Sequence, residues 1–111
     1  MQLMSNVRRR DHMRSSVTQL VALGRLPNDK DAGVPELQAF ESALEAIERP
    51  VSDEEALALL SVFPSEENSC FGLAWSVLHL VETSPSWPLR EARLQQGNPW
   101  VKSMLERAAA K

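Results

Sequence analysis

The sequence holds one cysteine, two histidines, no tyrosine and four glycines in 111 residues, and each shortage removes a class of protein. The lone Cys70 builds neither a disulfide framework nor a multi-thiolate zinc site, which sets aside the small secreted scaffolds and points to a reducing, cytoplasmic setting. Two histidines and one thiol are a thin supply of nucleophiles and bases, so catalysis is not expected. Gly-rich phosphate loops, Gly-x-Ser-x-Gly elbows and His-Glu-x-x-His runs are all missing. The longest uncharged, mostly apolar stretch, residues 68–81, is 14 residues long. A bilayer span needs about 20, so this stretch reads as a core helix and no membrane association is expected. Met1-Gln2-Leu3-Met4 runs directly into Ser5, Asn6 and arginines, an order unlike a signal peptide.

What is present is ordinary in amount and uneven in layout. Apolar residues make up 43% and charged residues 24%, and the length suits one domain over 1–111 with residues 1–6 frayed. The net charge of −3 conceals a segregation. Residues 1–33 hold six Lys/Arg against three Asp, and residues 83–111 hold five against two Glu, so each flank is +3. Residues 34–82 hold ten carboxylates and only Arg49, a belt of −9. Such a field repels nucleic acid and attracts basic surfaces. The Arg8-Arg9-Arg10 cluster with Arg14 has the opposite sign. It lacks interleaved aromatics and a following helix-turn-helix, so nucleic acid is not the expected partner.

Proline and glycine cut the chain into helix-sized pieces, each with apolar residues at steps of three and four, and strand alternation is absent. A first helix over residues 6–23 carries Met13, Val17 and Leu20 and stops at Gly24. A loop over 28–34 precedes a second, with Pro35 in its first turn and Leu37, Phe40, Leu44 and Ile47 on one stripe. Pro50 ends it near Arg49. Ser52 and Glu55 form a capping box for a third helix through Phe63, which Pro64 closes. The linker Ser65-Glu66-Glu67-Asn68-Ser69 leads to a fourth helix, apolar nearly all round and therefore central. A short helix over 89–96 ends at Gly97. Asn98 caps the last one, with Pro99 in its first turn. The spacing predicts five or six helices in an antiparallel helical-hairpin, HEAT-like stack.

Within that frame, Trp75 is expected in the core, since residues 71, 74, 78 and 81 are apolar on its side of the helix. His79 and Glu82, at i and i+3, read as a structural pair beside the indole. Neither has a second pair with which to bind a metal, so no metal or cofactor is expected. Cys70 lies too far from His79 along a helix to form an ion pair. Trp87, between Pro85 and Pro88, is the tryptophan expected where a partner touches. Glu41, Glu45 and Glu48 fall at i, i+4 and i+7, a like-charged stripe with no lysine to relieve it. With Glu66 and Glu67 as a second patch, they are the expected partner-binding surface.

The run Ala74-Trp75-Ser76-Val77-Leu78-His79-Leu80-Val81-Glu82, with Phe63, Glu66, Glu67, Pro99 and Trp100, resembles small all-helical immunity proteins of bacterial polymorphic toxin systems, particularly the immunity protein 30 family. The resemblance covers residues 37–107. It departs at Ser76-Val77, where a Gly-containing pair would stand, in the short penultimate helix and in the arginine-bearing start. It implies a HEAT-like stack without catalytic activity that binds and neutralises a cognate toxin. A toxin with a basic cleft would meet the acidic belt. The other reading is a helical interaction adaptor in a different bacterial complex, and an enzyme is the third.

Overall fold

The computed structural model describes residues 13–110. The expected fraying of residues 1–6 and the Arg8-Arg9-Arg10 cluster lie outside them. Helix α1, Ser15–Ala22, buries Val17 and Leu20, and Gly24 follows at φ 89°, a left-handed turn that suits glycine. Helix α2 is Val34–Glu45, with proline in its first turn as the sequence predicts and Phe40 and Leu44 buried. It ends four residues earlier than the Pro50 signal suggests. The segment after it is held by the Arg14 guanidinium, whose Nη2 donates to the carbonyls of Glu48 and Pro50, at 2.9 and 3.3 Å. The residue before a proline also resists helical geometry. Ile47 is consequently buried from a turn and not from a helix.

Helix α3, Asp53–Leu59, begins with the expected capping box. Ser52 Oγ accepts from the Glu55 N–H at 3.1 Å, and Glu55 Oε1 accepts from the Ser52 N–H at 2.8 Å. A 3₁₀ turn, Leu60–Val62, carries it to the buried Phe63 and Pro64. Helix α4, Leu73–Val81, starts later than its apolar pattern implies. Asn68 Oδ1 accepts from the N–H groups of Cys70 (3.1 Å) and Asp29 (3.3 Å), which holds a turn in place of a first helical turn. A second 3₁₀ segment, Arg90–Gln95, stands where a short α-helix is expected. Helix α5, Pro99–Ala110, is capped by Asn98, whose Oδ1 accepts from Trp100 N–H and Val101 N–H at 2.9 and 3.3 Å.

Among the described residues there are five α-helices, two 3₁₀ segments and no strand. Helix α1 packs on α2, α3 on α4, α1 on α3 and α2 on α4, while α5 packs on the second 3₁₀ segment. Among the described residues no helix is long and apolar enough to cross a membrane. The core of this arrangement runs from Val17 and Leu20 through Leu59, Phe63 and Val77 to Met104.

The placement expected for Trp75 is corrected: its side chain is 46% exposed. Residues in an α-helix turn about 100° each, so Ala74, Val77, Leu78 and Val81 form one face, and all four are buried. Trp75 stands 100° beyond Ala74, on the flank it shares with exposed His79. An all-round apolar helix does not announce its inward face, and here small and aliphatic side chains occupy it. Phe71 is no part of that helix.

Candidate functional site

The acidic belt divides once its side chains are placed. Glu41 and Glu45 are exposed one turn apart on α2, and among the described residues no ion pair reaches either. Glu45 is the last helical residue, where the dipole disfavours negative charge. Glu48 is also exposed but lies beyond the helix end, so the predicted three-residue stripe reduces to two helical carboxylates and a third in the following turn. The Glu48 charge helps hold the Arg14 guanidinium protonated, after the larger effect of Glu55.

Glu55, the carboxylate of the capping box, is 2% exposed. It accepts from Arg14 Nε (3.0 Å), Nη2 (3.2 Å) and backbone N–H (2.8 Å), besides the Ser52 N–H. Burial pushes the carboxyl up in pKa, yet the Arg14 side chain, the two backbone N–H groups and the Arg14 charge outweigh it and leave the pKa below the ordinary glutamate value. Arg14 therefore belongs to the fold and not to a free basic cluster. The sequence carried only half of this signal, the capping box.

Glu66 and Glu67 are exposed on a linker that α5 fastens. Trp100 Nε1 donates to the carbonyls of Glu66 and Asn68 at 3.1 Å each, and Asn98 Nδ2 donates to the Pro64 carbonyl at 2.9 Å. Glu66 Oε1 accepts from Asn28 Nδ2 at 2.6 Å. Trp100 stacks on Phe63 with centroids 5.8 Å apart and meets the edge of Trp75 at 5.2 Å. Trp87 is half-buried against the core, its indole N–H enclosed without a protein partner.

The expected His79–Glu82 pair is present as a loose contact, and Glu82 shares it with a second, closer partner. His79 Nδ1 stands 3.7 Å from Glu82 Oε1, beyond hydrogen-bond reach, and Arg107 engages both Glu82 oxygens at 3.0 and 3.2 Å. That partner comes from α5 and has no local signature near residue 82.

Two exposed aromatics, which the sequence assigned to a buried helix, each line a groove beside an acidic residue. A groove of about 170 Å³ is lined by Trp75, Leu78, Trp100, Arg107 and Glu67. Another, of about 160 Å³, is lined by Val34, Leu37, Gln38, Glu41, Phe71 and Leu73. Phe71 is 67% and Val34 66% exposed. Cys70 and Phe71 adopt φ 49° and 55°, left-handed values that cost a residue with a Cβ roughly 1–2 kcal/mol each. Gly72 follows at φ 88°. The strained turn buries Cys70 completely and turns Phe71 outward.

Burial pushes the Cys70 thiol above its ordinary pKa, and the carboxylates of Asp29 and Glu36 add to the effect. A thiol held protonated is a poor nucleophile, and this one faces the core. No cluster of three His, Cys, Asp or Glu among the described residues stands close enough to share a metal ion. Chemically, the arrangement offers open carboxylates and exposed aromatic surface, the means of binding another protein. No known family model, curated protein or solved structure matches this chain.

Proposed function

We propose that this chain is an immunity protein, a non-catalytic cytoplasmic binder that neutralises a cognate bacterial toxin through its acidic helical surface. The observation that carries the reading is the pair Glu41 and Glu45, exposed on α2 without an ion-pair partner among the described residues. Like charges one turn apart oppose each other by about 0.2–0.5 kcal/mol, and Glu45 also opposes the helix dipole. A surface that breaks two local rules with no structural return is a candidate for function. Carboxylates in the open also speed the approach of a basic cleft and set the orientation of docking. The resemblance at Trp75, His79, Glu82 and Trp100 supplies the class of partner. The contacts of α1 with α3 and of α2 with α4 support a HEAT-like stack of two helical hairpins, a rigid base for such a face.

The test is co-production with a toxin domain encoded beside the gene. The parent protein should restore growth, and the Glu41→Lys/Glu45→Lys/Glu48→Lys variant should bind more than tenfold more weakly, the gap closing at high salt. Equal protection by parent and reversed variant would overturn the acidic-surface mechanism. A tight partner with no toxic activity would make the chain an interaction adaptor instead.

A further inference from the structure

We propose that the groove around Phe71 is the anchor of the partner interface and that it takes an apolar side chain flanked by lysine or arginine. The proposal deepens the reading above, because it names the contact that gives the acidic face its hold.

Three independent observations meet at this groove. The first is exposure: Phe71 and Val34, at 67% and 66%, stand side by side in the lining with Leu37 and Leu73. Together they make a local apolar surface on a molecule whose other large aromatics, apart from Trp75, are buried or half-buried. The second is strain. A phenylalanine at φ 55° and 67% exposed has little packing to offset its backbone, and asparagine or glycine would occupy the position more easily. Phe71 is thus held out at a cost to the fold. The third is charge. Glu41 lines the groove, no cation does, and Glu36 and Asp29 lie near enough to act on the neighbouring Cys70 thiol.

These features define the occupant by complementarity. An apolar centre with Glu41 at its edge favours a partner whose apolar side chain has a cation beside it. An aromatic anchor in that position excludes water from the charge pairs around it. A neutral apolar segment would forgo the charge, and an acidic one would be repelled.

The probe is a blocked peptide, Lys-Lys-Leu-Ile-Lys-Lys, titrated into the isotope-labelled full chain and followed by NMR, with the Glu-flanked and Ser-flanked peptides as controls. The Lys-flanked peptide should shift the amides of Val34, Leu37, Gln38, Phe71 and Leu73, and the controls should not. Phe71→Asn should abolish those shifts while its thermal midpoint stays equal or rises, because asparagine tolerates the left-handed backbone. A fall in midpoint with retained binding would make Phe71 structural and overturn the proposal. So would shifts centred on the Trp75 groove, or equal response to all three peptides. With the neighbouring toxin domain as ligand, Phe71→Asn should raise the dissociation constant at least about tenfold, and unchanged affinity there also overturns it. If the groove takes the basic peptide but the parent chain does not protect cells from the toxin, the site stands and the toxin reading falls.

Discussion

Glu55 and Glu41 belong to the same acidic stretch, yet one is enclosed and the other open. Glu55 is 2% exposed and accepts four hydrogen bonds, three of them from a residue 41 positions earlier in the chain. Glu41 is exposed with no ion-pair partner among the described residues. The sequence counts both as one unit of negative charge, while the fold assigns one to stability and leaves the other for solvent or a partner. A belt of −9 is therefore no uniform surface. Part of it is structure, and only the remainder is available for recognition.

The sharpest way to break this contrast is to remove the partner of the enclosed carboxylate. Arg14→Ala leaves Glu55 buried in the first turn of α3 without its guanidinium and frees the carbonyls of Glu48 and Pro50, and should cost on the order of 3 kcal/mol in a denaturant melt. A loss within about 0.5 kcal/mol, the range of an exposed pair, would show that the pair behaves as a surface contact.

Acid titration gives a second, smaller effect. Because the folded Glu55 pKa lies below its ordinary value, its stabilisation is complete above the ordinary glutamate value of about 4.3. It is lost as pH falls below that value and through the folded one. Thermal midpoints should therefore drop over that acidic window, and Arg14→Ala should flatten or reverse the drop, since an unpaired buried carboxyl favours its proton.

The open carboxylates should give the smallest change in stability. Glu41→Lys with Glu45→Lys exchanges one like-charged pair for another and places a cation at the α2 C-terminus. The unfolding free energy should move by no more than about 0.5 kcal/mol, in the stabilising direction. A loss of several times that amount would mean that these side chains hold the fold, and would remove them as a free surface.

The same contrast marks how far the sequence could be read. The breaks at Gly24 and Pro64, the first-turn positions of Pro35 and Pro99, the Ser52–Glu55 box and the Asn98 cap were all legible. Each depends on residues within about four positions of one another, the reach of turn and cap chemistry. The exposed Glu41, Glu45, Glu66 and Glu67 were legible as charge. The outward turn of Phe71 was not: it sits in a left-handed turn next to Asn68, which is tied to the Asp29 N–H of a distant loop. Nor was the early end of α2, beyond which Arg14, just ahead of α1, binds the carbonyls of Glu48 and Pro50.

By itself, then, the sequence determined that the chain is helical, where most helices start and stop, and that its middle is acidic. Those properties are set by proline and glycine geometry, by capping side chains and by periodicity, all local. The tertiary structure alone decided which carboxylate is buried, which face of α4 turns inward and which aromatics meet the solvent. Such outcomes depend on groups brought together across tens of residues: Arg14 with Glu55, Trp100 with the Glu66 carbonyl, Arg107 with Glu82. A burial face is chosen by what the neighbouring helices leave room for, and no short window of sequence contains that information.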